Sequence, residues 1–268
     1  MQQKIIVSLT TIPSRVKFLR NTLKSIEKQS IKPFSIELNI PYTYRRSDIG
    51  DIDLTQIPEG FNIHRCEDFG PATKLIPTLE RHVSDDTLII YCDDDRIYDK
   101  DWIKRLVRTY NKHKNYCIYE EGSELVNHCQ RLKKNWLYRC KRFLSLSLWK
   151  PTKKTHNADI VEGFGGVLVT PDMFDSTVSL IPECFFYVDD IWFSAKLAQS
   201  GIKTKWTGNT GQTSRPVIEN GTDIGRLAGS LSIAKFDGKK RKQLDLTAIT
   251  YATEYMHVWN DKIKISVK

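Results

Sequence analysis

Thr87-Leu-Ile-Ile-Tyr-Cys-Asp-Asp-Asp95 is the stretch on which the reading of this chain turns. Its first six residues, Thr87 to Cys92, form an apolar run that predicts a buried strand, and three aspartates follow at once. Side chains alternate along a strand, so Asp93 and Asp95 are expected to leave its tip on one face and Asp94 on the other. Two carboxylates on one face repel and raise each other's pKa, and a buried charge without a partner is costly. A hard divalent cation between them removes that cost, takes oxygen ligands and commonly carries phosphate. The competing reading is a polar turn in which one aspartate caps a helix beginning near Tyr98 to Trp102, but a cap requires one carboxylate and here there are three.

Outward from this stretch, strand and helix signals alternate. Strands are predicted over Lys4 to Leu9, Ser35 to Ile40, Phe61 to Arg65 and Thr87 to Cys92, with helices over about Val16 to Gln29 and Thr73 to His82. That alternation argues for an α/β fold with a mostly parallel central sheet flanked by helices, whose ligands collect at the carboxyl ends of the strands. Further on, Asp101 to Lys112 reads as a helix, Tyr116 to Tyr119 as a strand, Ile160 to Val169 as a strand, and Thr170-Pro171 as a helix start. Asp190 to Ser200 reads as a helix closed by Gly201. The division expected is a catalytic domain over residues 1–206, then a mobile polar loop and a C-terminal helical extension over 207–268, its helix running from about Gln243 to Asn260.

Composition excludes several classes. The six cysteines form no CxxC pair and the six histidines lie at no zinc-finger spacing from them, so neither structural zinc nor a disulfide framework is expected. No stretch reaches the roughly 18 apolar residues of a membrane span, and the N-terminus lacks the pattern of a signal peptide. A cytoplasmic protein is expected, with room for peripheral attachment to the inner face of a membrane. The net charge of +9 is matched by the nine basic residues between Arg131 and Lys154, a segment without any acid. Trp136, Tyr138, Phe143 and Trp149 are interleaved with them, the composition of a segment that lies on an anionic, partly apolar surface. Snorkelling Lys and Arg on a core-facing helix or hairpin fit equally well. No nucleic-acid-binding module accompanies the basic segment, and nucleic acid is not an expected partner.

Four groups of residues, in this order, carry a resemblance. Ile5-Ile-Val-Ser-Leu-Thr-Thr11 runs into Ile-Pro-Ser-Arg15; Gly70-Pro-Ala-Thr-Lys-Leu75 places a lysine at a helix start; Tyr91-Cys-Asp-Asp-Asp95 follows; then Glu162-Gly-Phe-Gly-Gly166 precedes Asp189-Asp-Ile-Trp192. Over about residues 4 to 206 the chain resembles the GT-A fold glycosyltransferases, of the glycosyltransferase family 2 kind. The resemblance implies a nucleotide-sugar donor held by Thr10, Thr11, Arg15, Asp68, Lys74, Asp93 and Asp94, with Mn²⁺ or Mg²⁺ on Asp93 and Asp95. It also implies a glycan or lipid-linked saccharide acceptor beside Gly163, Phe164, Gly165, Gly166 and Trp192. Asp190 is the first choice for catalytic base and Asp189 the alternate.

The chemistry asks for these groups on its own terms. Breaking a sugar–phosphate bond leaves charge on a diphosphate, which a cation or metal must stabilise, and the attacking hydroxyl must lose a proton to a carboxylate across the sugar. Each residue also has a plainer reading: Asp189 or Asp190 as a helix cap, the glycines as a bend or bulge, Lys74 as a solvated lysine, Asp68 as a turn residue. His257 is read as packing and not as a metal ligand. Two rivals stand beside the hexosyl-type transferase. A nucleotidyltransferase acting on sugar phosphates would carry a glycine-rich loop after the first strand, and Thr10 to Arg15 has no glycine. A non-catalytic module binding an anionic polymer or membrane would keep its binding without the aspartates.

Overall fold

The structure is a computed structural model, and it describes residues 3–46, 48–83, 86–125, 129, 158–226, 235–236 and 238–262. The four strands expected in the first hundred residues form. They are β1 (Lys4–Thr10), β2 (Ser35–Pro41), β3 (Asn62–Cys66) and β4 (Thr87–Tyr91), all parallel where they pair. Strands β2 and β4 are buried along their whole length; β4 is the apolar run expected in a covered parallel sheet, whereas β2 alternates Ser35, Glu37 and Asn39 with apolar residues and satisfies them by side-chain hydrogen bonds. Between them lie α1 (Leu19–Glu27), preceded by a 3₁₀ turn over Pro13–Phe18, and α2 (Ile76–Arg81), preceded by a 3₁₀ turn over Gly70–Lys74. After β4 come β5 (Arg96–Tyr98), α3 (Trp102–Lys112), β6 (Cys117–Tyr119) and β7 (Gly122–Ser123).

Ile160 to Val169, expected as one strand, is two: β8 (Ile160–Val161) and β9 (Val167–Val169), parted by a 3₁₀ turn over Gly163–Gly165. The cause is local, since Gly166 adopts φ +88°, a conformation that does not continue a strand. Thr170-Pro171 starts only a single 3₁₀ turn, Pro171–Met173, and not a helix. The helix α4 (Asp189–Gln199) and β10 (Thr204–Trp206) follow. The central sheet has seven strands in the order β10-β6-β9-β4-β1-β2-β3, mostly parallel, with β9 antiparallel to both its neighbours. The carboxyl ends of β1 to β4 therefore open on one side.

Beyond Trp206, the stretch expected as a mobile loop carries β11 (Ser214–Pro216), antiparallel to β5, and a hairpin of β12 (Ile218–Glu219) and β13 (Thr222–Asp223). Val217 N–H donates to the Asp95 carbonyl at 2.9 Å, which lays this segment across the aspartate turn. After β14 (Lys235–Phe236) and β15 (Lys239–Lys240), α5 covers Arg241–Glu254 and packs on α4 and on the turn Glu183–Phe185. It stops short of the expected Asn260 because His257 (φ 57°) and Trp259 (φ 64°) adopt left-handed conformations. The basic aromatic segment 131–154 lies outside the described residues, and among the described residues no helix is long and apolar enough to cross a membrane.

Candidate active site

The aspartate triplet does not continue the alternation of β4. The strand ends at Tyr91 and the chain turns through Asp94 and Asp95, and the three carboxylates divide between two different cations of the protein. Asp94 and Asp95 share Arg15, whose Nη1 stands 2.7 Å from Asp94 Oδ1 and 3.2 Å from Asp95 Oδ2. Thr11 donates its hydroxyl to Asp94 Oδ2 at 2.6 Å, and Thr22 donates to the Asp94 carbonyl at 2.7 Å. Asp94 is thus held by the turn after β1 and by α1. Asp95 lies where burial, and then the Asp94 charge, push its carboxyl up to about 7 despite Arg15.

Asp93 is paired with Lys74. The Lys74 ammonium is 2.5 Å from Asp93 Oδ1 and 3.0 Å from Asp189 Oδ2. The end of the 3₁₀ turn carries this lysine, and Ser8 on β1 fixes it by donating its hydroxyl to the Lys74 carbonyl at 2.6 Å. The solvated lysine of the plainer reading does not describe it: only 5 % of its side chain is exposed and its charge is shared by two carboxylates. Burial pulls its pKa down, but Asp189, Asp93 and Asp190 outweigh burial and keep it charged. In return, Lys74 overcomes the burial of Asp93 and holds that carboxyl below its ordinary value.

Asp189 and Asp190 open α4, where the helix dipole favours anions. Val188, not either aspartate, occupies the N-cap position, and no side chain caps there. Asp190 Oδ1 accepts the Gly163 backbone N–H at 2.9 Å. Burial, then the Asp189 charge, push the Asp190 carboxyl up to about 8, although Lys74 and Gly163 pull the other way. The result is one cluster in which Lys74 ties the aspartate turn after β4 to the aspartate pair of α4.

A cavity of about 330 Å³ opens over this cluster. Thr10, Thr11, Arg15, Asp68, Lys74, all three aspartates of the triplet, Asp189 and Asp190 line it. Two of these are occupied by local structure. Thr10 donates its hydroxyl to the Asn39 carbonyl at 2.8 Å, and Asp68 accepts the backbone N–H of Arg45 and of Gly70, as a turn aspartate does.

The expected acceptor residues are not among those lining the cavity. Trp192 is buried, donates Nε1 to the Val178 carbonyl at 2.9 Å and packs on Phe185. The carbonyls of Phe164 and Gly165 accept from Tyr98 and Trp102, and a Cβ at Gly166 would fall 2.3 Å from the Trp102 ring. Of the glycine loop, Gly163 alone touches the charged cluster, through Asp190 and the space beside Lys74. The sequence reading missed Tyr44, Arg46, Phe186, Tyr187, Gly225 and Arg241, which also line the cavity. They sit in loops or at a helix start without any local motif to mark them.

Among the described residues, no three Asp, Glu, His or Cys side chains form a ready-made cation cage. The donor set nevertheless fits a hard cation that brings ligands of its own. Asp95 lines the cavity, where burial and the Asp94 charge work against its ionisation and a further cation would offset both, and an Mg²⁺-like ion needs only one or two carboxylates beside phosphate and water.

No protein-family model matches the chain, and no curated protein sequence matches it. Among solved structures, TarS of S. aureus, a GT-A-type glycosyltransferase, superposes over 100 % of this chain and 46 % of its own, with a TM-score of 0.51 at 11 % identity. The chain has a GT-A glycosyltransferase-like fold. TarS 1–349 gives a TM-score of 0.49 at 12 % identity over 81 % of this chain and 60 % of that one. The same fragment in complex with UDP gives 0.49 at 11 % identity, over 81 % and 61 %. The GT-A-like chain described here therefore spans less than two thirds of either TarS form. In this GT-A-like frame the cavity sits at the carboxyl ends of β1 to β4, where open α/β sheets bind ligands.

Proposed function

We propose that this protein is a metal-dependent glycosyltransferase that moves a sugar from a nucleotide-diphosphate sugar to a glycan or lipid-linked saccharide, with inversion. The observation that supports the reading is a cavity in which Lys74 bridges Asp93 and Asp189, so that the aspartate turn after β4 and the aspartate pair of α4 line one space in a GT-A-like fold. Asp93 and Asp95 would hold Mn²⁺ or Mg²⁺. When bound, that ion offsets the charge that grows on the leaving diphosphate.

The remaining work falls to the chain's own residues. Asp190 is the base, with Asp189 held by Lys74 as its neighbour. A carboxyl pushed up to about 8 takes a proton more readily than an ordinary aspartate, which suits removal of the acceptor hydroxyl's proton near neutral pH. Gly163 N–H fixes one of its oxygens, so the base is aimed before the acceptor arrives. Arg15 and Thr11 hold Asp94 and so set the aspartate turn. The basic segment 131–154 would bring the enzyme to an anionic membrane face, on the cytoplasmic side.

A small calorimetric panel tests this: UDP, GDP and CDP with and without Mn²⁺, against the natural chain and Asp95→Asn. Metal-dependent binding of one nucleotide, lost in the variant, is the expected result. No binding of any nucleotide would turn the reading to the anionic-surface module.

A further inference from the structure

Four cationic side chains line the cavity: Arg15, Arg46, Lys74 and Arg241, against six aspartates. Three of the four are committed. Arg15 is engaged by Asp94 and Asp95, Lys74 by Asp93 and Asp189, and Arg46 by Asp48 through Nε and Nη2. Arg241 differs. Among the described residues its hydrogen bond runs from Nε to Asp245 Oδ1, at 2.9 Å and one helical turn away, and the guanidinium's two terminal amino groups lie in the lining of the cavity without a described acceptor.

That placement is rigid. Arg241 is the first residue of α5, a helix of 14 residues anchored on its buried side by Ala248, Ile249 and Ala252 and by the edge-to-face contact of Tyr251 with Phe185. Asp245 orients the guanidinium from within the same helix, and Asp189 and Asp190 are the next acids whose charge it feels. A nucleoside diphosphate entering a cavity already rich in carboxylates requires positive donors that are not spent on the protein. A guanidinium presents two parallel N–H donors to phosphate oxygens, a geometry an ammonium lacks.

We propose that Arg241 is the side chain that receives the donor's diphosphate, the role the sequence assigned to Lys74. The assignment rests on the glycosyltransferase reading of the cavity. Through it the C-terminal helix becomes part of the donor site, and Lys74 is left to tie the two aspartate groups together.

The test is calorimetric titration of the full chain, with Mn²⁺, by UDP, GDP, CDP and inorganic pyrophosphate, comparing the natural protein with Arg241→Gln and Arg241→Lys. Thermal melts confirm that each variant is folded. Loss of one charged hydrogen-bonding group predicts roughly 10- to 100-fold weaker binding of the nucleotide and of pyrophosphate in Arg241→Gln, with a smaller loss in Arg241→Lys. Should the glutamine variant fail to fold, the lysine variant still reads the smaller loss, since it keeps the charge and forfeits the fork. Unchanged affinity for both probes in a folded variant overturns the role of Arg241 and leaves the glycosyltransferase reading standing. A natural protein that binds none of the probes overturns both.

Discussion

Gly163 donates its backbone N–H to Asp190 Oδ1 at 2.9 Å, and a Cβ on this glycine would stand 2.7 Å from the Lys74 ammonium. Both near atoms, Lys74 Nζ and Asp190 Oδ1, are side-chain ends that can give way. Gly163→Ala should therefore leave the fold standing while displacing the base and its neighbour. The expected outcome is a fall in kcat on the order of 100-fold, the cost of misplacing a reacting group by about 1 Å, with a melting temperature close to that of the natural chain. A parallel loss of kcat and of stability would show that Gly163 only supports the fold.

Gly166, three residues on, predicts the opposite result. Its φ is +88° and an added Cβ would meet the Trp102 ring at 2.3 Å, with Trp102 itself fully buried and bonded to the Gly165 carbonyl. Neither backbone nor indole can yield. Gly166→Ala should cost on the order of 2–4 kcal/mol in a denaturant melt, from left-handed strain and overpacking together. A stability within 0.5 kcal/mol of the natural protein, roughly the scatter of an innocuous substitution, would contradict this packing.

The Asp190 carboxyl, pushed up to about 8, sets the direction of the pH profile. A base works only when it is deprotonated, so kcat/KM should climb as pH rises through about 8 and level off above it. Asp190→Asn should lower kcat by roughly 10²- to 10⁴-fold and abolish that limb, which a pH–rate series on both proteins would reveal. A limb that survives in Asp190→Asn would assign the titration to another group, with Asp189 the first to try.

What could be read from residues alone divides along physical lines. β1 and β4 were legible because a covered parallel strand is a continuous apolar run, and the aspartate turn was legible because it follows such a run directly. The partners of the turn were not, because Lys74 and Arg15 meet it only through the sheet's crossovers, 19 and 79 residues away. Trp192 was misread for a different reason. α4 is buried at nearly every position from Ile191 to Leu197, so no periodicity marks the face that meets the cavity. Arg241 stands in the basic run Lys239-Lys-Arg-Lys242, and nothing local separates it from three lysines.

Glu37 offers a test of the sheet independent of catalysis. This buried carboxylate accepts from Arg81 at 2.5 Å and meets His82 Nε2 at 2.8 Å, in a network with Asn39 and Thr78 that fastens α2 to β2. Burial raises its pKa, but those hydrogen bonds and charges outweigh burial and hold it below the ordinary 4.5. The sign follows: its stabilisation is complete above about 4.5 and is lost as pH falls through the lower folded value. Glu37→Gln should cost about 1–3 kcal/mol at pH 7, and the gap between variant and natural protein should narrow in melts as pH falls below 4.5. A gap that is constant with pH would mean that shape, not charge, is what Glu37 contributes.

Gly225 carries the last prediction, which concerns the cation. The segment after β13 brings this glycine over the aspartate turn, and a Cβ there would stand 2.7 Å from Asp95 Oδ2, on a carboxylate that lines the cavity. Asp95 is anchored to this segment through its own carbonyl and the Val217 N–H, so its backbone stays in place, and its carboxylate can turn from the added carbon only at the expense of its contact with Arg15. The added methyl should instead crowd the oxygen that is proposed to meet the metal. Because a ligand displaced by a fraction of an ångström weakens a hard-cation site that tolerates little distortion, Gly225→Ala should raise the Mn²⁺ concentration for half-maximal activity by about tenfold. Activity at saturating Mn²⁺ should recover most of the natural value. If activity falls without any change in Mn²⁺ requirement, Asp95 is acting on the nucleotide or on Arg15 and not on a metal.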